Sequence, residues 1–506
     1  MQDRHADSLY AAPLDNTTVA AVATPPGTGA IAVVRMTGPD AVAIADRVFA
    51  PAGSTAGQGV VSRMEGRTCR VGRILDPADG SVVDEVVLTR FVAPRSYTGE
   101  ELVEISCHGG NAVKRRILDV LVSSGARPAE PGEFSRRAFL HGKMDLSQAE
   151  AVMDLIQASA ARTARAAASQ LGGALSRHVR GIAEDLYLLL GRLEMSIEYP
   201  EHEEADTAQE GLLRDVGALT DRMAAFEATH VRGRMLREGL TIVIAGRPNV
   251  GKSSLLNRLA GYERAIVTEI AGTTRDTVEE VVDVDGLPVR LVDTAGMRET
   301  GDRIERLGVE RSIDAIGRAD LVFWVSTPHD GAASSPLDGE RLGQTTDDTP
   351  PDATERQSIL AAAARARVVV VAGKVDIGGS LSYAQALRES LGEGAPEVLP
   401  FSAVTGEGLD AIRAAIRAVY EEAEAPEGDE VLLVNARHAR CAADALQALR
   451  QAREALTAGA AGHPALPPDM VSALLREAAE YLAEITGDAV SDRIVDTVFS
   501  RFCVGK

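Results

Sequence analysis

The stretch GRPNVGKSS, beginning at Gly246, has the spacing G-x-x-x-x-G-K-[ST]. That spacing suits one chemistry, the holding of a chain of phosphates. Glycines let backbone N–H groups turn toward an anion with no side chain in the way, and the start of a following helix adds partial positive charge. Lys252 would reach the β- and γ-phosphates and the Ser253 hydroxyl would bind Mg²⁺. Asn249, Val250, Gly251 and Ser254 complete the loop. A tight strand-to-helix turn without a ligand is the competing reading. The context weighs against it: the apolar TIVIA precedes the loop and SLLNRLA follows it, so strand, glycine loop and helix stand in the order this motif requires.

Two further stretches extend the phosphate chemistry. LVDTAG puts Asp293 at the end of an apolar run, placed for the Mg²⁺ shell, and Thr294 and Ala295 lead to Gly296, whose N–H could sense a γ-phosphate. D-x-x-G alone is common by chance; behind a phosphate loop and at a strand end it gains weight. TEIAGTTRD, Thr268 to Asp276, carries adjacent threonines that can place one hydroxyl on Mg²⁺ and order the loop only when the γ-phosphate is present. A Thr-rich surface loop would look the same out of context.

VVVVAGKVD, Val368 to Asp376, follows as the next long apolar strand, and its loop ends in Lys-x-Asp. Asp376 can accept hydrogen bonds from guanine N1–H and the exocyclic amine, a donor pair that adenine lacks. Lys374 can lay its stem along the base plane, and Ser402 and Ala403 in FSAVTGEGLD border the base. Guanine-reading loops carry Asn-Lys-x-Asp, and here Gly373 stands in the Asn place. The expectation is weaker nucleotide binding with guanine selectivity kept through Asp376.

The elements that must position these residues are legible in outline. From LTIVIAG to about Tyr420 apolar strands alternate with helices, the pattern of a doubly wound parallel sheet. Its DGLP turn predicts a hairpin before LVDTAG. A polar, Pro/Gly/Asp-rich insertion at 330–356 is expected to lack order. Before this domain, VAAVA, AIAVVRM, DEVVLTRFV and LVEISC read as strands of a small α/β or α+β domain that ends in the glycine-opened helix of HGGNAVKRRILDVLVSSG. From about Leu146 the chain is helical to Arg237, with Leu186, Leu189, Leu190, Leu193 and Ile197 on one face. After the charged linker EEAEAPEGDE it is helical again, with Val471, Leu474, Leu475, Ala478, Leu482 and Ile485 on one face. Two helical halves that pack together around an inserted domain account for this order. The expected division is 1–141, 142–237, 238–422 and 423–506, within 506 residues.

Composition bounds the rest. A net charge of -21 argues against blanket electrostatic binding of nucleic acid. It leaves room for local basic patches at Lys114–Arg116, Ser135–Lys143 and Arg232–Arg237, each of which taken alone reads better as a solvated face. Cys69, Cys107, Cys441 and Cys503 have no paired spacing, so neither a disulfide framework nor a zinc motif fits. No apolar run is long enough to span a bilayer and the first residues have no apolar signal core, so a cytoplasmic chain with no membrane partner is expected.

Taken together, GRPNVGKSSLLN, TEIAGTTRD, DTAG and the ending FSRFCVGK resemble the MnmE (TrmE) family, tRNA uridine-5-carboxymethylaminomethyl modification GTPases. ATPPGTGAIAVVRMTG, SYTGEELVEISCHGG and PGEFSRRAFLHGKMDLSQAEAV fit the same family. The resemblance covers nearly the whole chain outside its first residues and the insertion, with Val504 where the family usually has Ile. It implies a multidomain α/β chain: an N-terminal folate-binding α/β domain, a discontinuous helical bundle and an inserted Ras-like P-loop GTPase domain. It also implies a homodimer that works with FAD-dependent MnmG in a heterotetramer or larger complex on the wobble uridine of certain tRNAs, taking a one-carbon unit from 5-formyl- or methylene-tetrahydrofolate. Matched by motif, Arg35, Glu104, Lys143 and Lys506 would hold the folate; without the family, Arg35, Glu104 and Lys143 would each read as a surface charge.

The resemblance further assigns K⁺ to Asn249, Thr268, Thr273 and the backbone carbonyl of Ile270, and Mg²⁺ to Ser253 and Thr274. Glu269, Ala271 and Gly272 would complete the nucleotide contacts of that loop. Lys252 and Glu305 would be catalytic, Glu305 by orienting the attacking water; out of context Glu305 would read as a solvated helix carboxylate. Cys503 is a possible site residue or a packed tail cysteine, and His108 a strand-end residue. Two other readings compete: a ribosome-assembly GTPase acting as an RNA-binding switch, and a folate-dependent one-carbon transferase with a structural nucleotide. The first would not need a folate-type N-terminal domain or the Cys-Val-Gly-Lys tail, and folate binding to the N-terminal domain would disfavour it; potassium-stimulated GTP hydrolysis would disfavour the second.

Overall fold

The computed structural model describes residues 16–53, 59–198, 205–247, 250–261, 279–293, 315–328, 353–376, 380–392, 394–422, 431–460 and 467–506. They form two compact units. One comprises residues 1–153, 170–205 and 465–506, the other 154–169 and 206–464.

The first unit is built on a seven-stranded sheet. Its strands are β1 (Val19–Val22), β2 (Ile31–Thr37), β3 (Phe49–Pro51), β4 (Thr68–Leu75), β5 (Val82–Phe91), β6 (Leu102–His108) and β7 (Arg127–Pro128), in the order β3-β4-β5-β6-β2-β1-β7. Every pairing is antiparallel except β1 with β7. Alternate residues of a strand point to opposite faces. Val34 and Met36 of β2 and Val103, Ile105 and Cys107 of β6 therefore share a core with Ile44, Val48, Ile117 and Leu121 from the helices Ala41–Val48 and Asn111–Ser123. The polar residues Arg35 and Glu104, partners in the β2–β6 register, fall on the other face. The domain is thus α+β. The helix Ala41–Val48 and the strands β3, β4 and β7 are additions to the sequence reading.

The helices Ala174–Glu198 and Pro468–Thr486, one from each side of the nucleotide domain in sequence, lie against each other in this unit, with Arg476 on Glu194 at 2.7 Å. Leu186, Leu189, Leu190 and Leu193 are buried, as are Val471, Leu475, Ala478, Leu482 and Ile485. Ile197 is a correction: near the helix end it is 41% exposed. A one-face period locates a stripe but not where the partner surface stops.

The last residues return to the first domain. Val504 bridges Pro131, Gly132 N–H donates to Cys503 O, and Phe134 N–H donates to Lys506 O at 3.2 Å. Gly505 has φ +95° and lies so close to the Val22 carbonyl that a β-carbon there would overlap it. Glycine tolerates both the positive φ and the approach.

Beside the tail, in the helix Glu133–Leu140, Arg137 is 1% exposed and forks between Glu100 (3.1 Å) and Glu133 (2.8 Å). Burial alone would raise the Glu133 pKa. The backbone N–H of Glu130 and the guanidinium groups of Arg127 and Arg137 outweigh it and hold this carboxyl below its ordinary value. A depressed folded-state pKa contributes stability that is present above the unfolded pKa and lost as pH falls through the folded one. Stability of this unit is therefore expected to decline from about pH 4.5 downward, and a Glu133→Gln variant to show a shallower decline in acid unfolding followed by circular dichroism.

The second unit holds a six-stranded sheet of β8 (Leu240–Ala245), β9 (Glu279–Val284), β10 (Leu287–Asp293), β11 (Leu321–Ser326), β12 (Val368–Gly373) and β13 (Glu397–Phe401), in the order β13-β12-β11-β8-β10-β9. All neighbours are parallel except the β9–β10 hairpin. That hairpin turns at Asp285 (φ +53°) and Gly286 (φ +84°), as its Asp-Gly pair predicts. One face packs against the helices Lys252–Ala260 and Leu409–Glu422 through Leu255, Leu259, Ile412 and Ile416. The other packs against Ala353–Ala363 and Ser380–Leu391 through Ile359, Tyr383 and Leu387.

The insertion expected at 330–356 is corrected at its far end. Residues 353–356 are the first turn of the helix Ala353–Ala363, and Glu355 is buried there. An acidic residue in a first turn suits the helix dipole. The stretch 330–352 lies outside the described residues.

Candidate nucleotide site and folate corner

The parallel strands of the second unit all deliver their carboxyl ends to one edge, where open α/β sheets bind ligands. β8 ends at Ala245, and Gly246 turns with φ +138° against the Val325 carbonyl, an approach that leaves no room for a β-carbon. Gly251, at φ +95°, opens the helix Lys252–Ala260. Lys252 is buried, and its ammonium donates to Gly246 O (3.0 Å) and Arg247 O (2.6 Å). The Lys252 ammonium is thus held over the loop it belongs to. Ser253 and Ser254 are exposed at the helix start, where hydroxyl and backbone N–H groups can face an anion or a cation. Asp293 ends β10 in register with Ile244 of β8, which brings its backbone beside the phosphate loop.

The loop proposed to read the base is built on the ends of β12 and β13. Gly373 pairs with Phe401. Lys374 takes φ +63°, a left-handed turn that a non-glycine residue adopts rarely. Asp376 accepts a hydrogen bond from the Ser402 hydroxyl at 2.6 Å. Ser402 is buried, and its Oγ in turn accepts from the N–H groups of Val404 (3.2 Å) and Thr405 (3.1 Å). Asp376 is therefore aimed by a hydroxyl whose own orientation is fixed, and Ala403 follows directly.

Gly373 has an ordinary backbone conformation and no need to be glycine on that account. A β-carbon there would lie 3.1 Å from Thr327 Cγ2 and 3.7 Å from Val250 O of the phosphate loop. An Asn amide at this position is within reach of the Val250 carbonyl once Thr327 gives way. The double change Gly373→Asn, Thr327→Ala is expected to tighten GTP binding about twofold to tenfold, the net value of one such bond. Gly373→Asn alone is expected to gain less. Calorimetric titration with GTP distinguishes the two.

Among the remaining nucleotide and metal candidates, Asn249, Thr268, Glu269, Ile270, Ala271, Gly272, Thr273, Thr274, Thr294, Ala295, Gly296 and the catalytic candidate Glu305 lie outside the described residues.

In the first unit the folate candidates gather around the loop between β5 and β6. Arg35 pairs with Glu104 at 2.8 Å, and its guanidinium lies over the rings of Tyr97 (5.1 Å) and Phe134 (5.6 Å). Lys143 donates to Pro94 O at 3.0 Å. Lys506 meets this corner through its carbonyl, on the N–H of Phe134. A carboxylate such as Glu104 can accept from the N–H donors of a flat heterocycle, and an anionic tail fits exposed lysine. Arg35 and Glu104 act as one neutralised pair rather than as separate charges. Tyr97 and Phe134 escaped the sequence reading, although both lie inside motifs it quoted. His108 ends β6, exposed, with Nδ1 on Asp84 at 2.7 Å, and Cys503 is exposed in the tail. Cys107, by contrast, is buried, and burial first and Asp84 second push its thiol up to about 11.

No helix among the described residues is long and apolar enough to cross a membrane.

Residues 146–503 match the family model described as the MnmE helical domain, and residues 18–143 match the one described as the GTP-binding protein TrmE N-terminus. The tRNA modification GTPase MnmE of Listeria innocua serovar 6a is 41% identical over 490 residues, 97% of this chain and 99% of that one. The protein of the same name from Lactobacillus delbrueckii subsp. bulgaricus is 39% identical over 489 residues, 97% of this chain and 98% of that one. The solved G domain of the T. maritima FeoB iron transporter covers 36% of this chain and 99% of its own at 24% identity, with a TM-score of 0.24. Since both family models and the curated relatives align along nearly all of its length, the chain belongs to the MnmE family.

Proposed function

We propose that the chain is a potassium-activated GTPase which, with FAD-dependent MnmG, converts the wobble uridine of certain tRNAs to the 5-carboxymethylaminomethyl or aminomethyl form. In this reading GTP hydrolysis drives G-domain closure across a homodimer. The observation that carries the GTPase part is the placement of Asp376, aimed by Ser402, at the same sheet edge as Lys252 on its glycine loop. The tRNA part is supported by the curated relatives, which are named for that activity and align over nearly their whole length.

Each residue has a definite task. Asp376 accepts from the guanine edge, Lys252 moves from the loop carbonyls to the phosphates, and Glu305 orients the attacking water. Mg²⁺ at Ser253 and Thr274, with K⁺ at Asn249, Thr268, Thr273 and the Ile270 carbonyl, would supply positive charge against the charge that develops on the transferring phosphoryl group. A reduced folate on Arg35, Glu104, Lys143 and Lys506 would supply the one-carbon unit. The decisive measurement is GTP turnover by the full chain in potassium and in sodium buffer, together with mass spectrometry of wobble uridines in cells lacking the protein. Equal turnover in the two buffers removes the potassium role, and unchanged uridines remove the tRNA role.

A further inference from the structure

Behind the phosphate loop, on the face away from the helix Lys252–Ala260, the second unit buries a polar chain. Glu355 is 4% exposed. Its Oε1 accepts from the Ser326 hydroxyl at 2.9 Å, and Ser326 Oγ lies 2.6 Å from the Tyr383 hydroxyl. Its Oε2 faces Arg247 Nε at 3.5 Å. Ser326 ends β11, whose register places Trp324 opposite Ala245, so this cluster sits directly under the turn at Gly246. Arg247 is the second residue of the glycine loop, and its carbonyl is one of the two that hold the Lys252 ammonium.

We propose that Glu355 is a positioning residue for the phosphate loop: through Arg247 it fixes the carbonyl on which Lys252 rests, and so sets how long a nucleotide stays bound. The physical reason is burial. A carboxylate this far from water is retained only with charged and hydrogen-bonding partners. Here one partner is the loop arginine and another is the end of the central strand. The side chain therefore ties the helix Ala353–Ala363 to the loop from the face opposite the nucleotide helix. Tyr383, 1% exposed, brings the helix Ser380–Leu391 into the same linkage. A residue that only filled space would need neither the charge nor this alignment. The inference rests on the nucleotide-binding reading given above.

The test uses the full-length chain and release of a fluorescent GDP followed by stopped flow, with GTP turnover alongside. Glu355→Gln keeps the shape and an acceptor for Ser326 but removes the charge facing Arg247. It is expected to release nucleotide about threefold to tenfold faster and to raise KM more than it lowers kcat, with the unfolding midpoint little changed. Arg247→Gln is expected to do the same, and the double variant to be no worse than either single one, because both act on one link. Glu355→Ala tests the whole cluster; should it fail to fold, the Gln variants still decide. Wild-type release rates in Glu355→Gln, or fully additive effects in the double variant, would overturn the proposal. Absence of nucleotide binding in the wild-type chain would instead refute the underlying reading.

Discussion

A chain carrying Asp376→Asn is expected to bind GTP at least about 100-fold more weakly and to prefer xanthosine triphosphate. A carboxylate takes two hydrogen bonds from guanine, and each bond to a charged group contributes about 1.5–3 kcal/mol. Losing the favourable half of that arrangement is worth two decades or more in affinity. Xanthine presents an oxygen where guanine presents the exocyclic amine. An Asn amide can accept from N1–H and donate to that oxygen, so the pattern is restored for the altered base. The structure favours a clean outcome, because the Ser402 hydroxyl that reaches Asp376 Oδ1 at 2.6 Å finds the same acceptor in the Asn carbonyl. The loop then keeps its shape while its chemistry changes. Competition of GTP, ATP and xanthosine triphosphate against a fluorescent nucleotide reads the result directly. If Asp376→Asn keeps the wild-type order of preference, the base is read somewhere else.

The second large effect belongs to stability. Arg137→Met is expected to destabilise the first unit by about 3–5 kcal/mol, the cost of removing one partner from a buried charged cluster. Against a total of about 5–15 kcal/mol for a typical domain, that is a major fraction. Arg137 contacts both oxygens of Glu100 and one of Glu133. Without it Glu133 keeps Arg127 and the Glu130 N–H, whereas Glu100 keeps the Thr37 hydroxyl. Two half-buried carboxylates are then left without the cation that lay between them. Arg137→Lys should recover only part of the loss, because an ammonium cannot fork to two carboxylates as a guanidinium does. The deficit of Arg137→Met should also narrow in acid, since protonation of either carboxylate removes the repulsion. Urea unfolding at neutral pH and near pH 4 measures both. A neutral-pH loss below about 1 kcal/mol would show that the cluster relaxes freely.

These two sites differ in how visible they are in the sequence. The nucleotide edge is legible because its residues are dictated by backbone geometry. Gly246 and Gly251 must take positive φ, the apolar runs of β8 and β12 must be buried, and the Asp-Gly pair must turn a hairpin. Such constraints leave fixed spacings behind them. Arg137, Glu133 and Glu355 left none, because pattern reading assigns a charge to solvent unless something marks it otherwise. Their burial follows from partners distant in the chain, Glu100 for Arg137 and Arg247 for Glu355. In sequence Glu355 reads as part of the polar insertion for that reason. Arg35 and Glu104 came only from family resemblance, and nothing in their spacing announced that they face each other across β2 and β6. Short strands such as β3 and β7 carry too few residues to show a period of two.

The contact of Gly505 with the Val22 carbonyl has a consequence for how the molecule is made. Chains emerge from the ribosome at about 5–20 residues per second, so the strand that supplies this carbonyl waits roughly half a minute to a minute and a half for the residue that covers it. Through that interval the end of β1 at Val22 lacks this cover. Two residues 483 positions apart in the chain thus depend on one close approach, and only a glycine at 505 permits it.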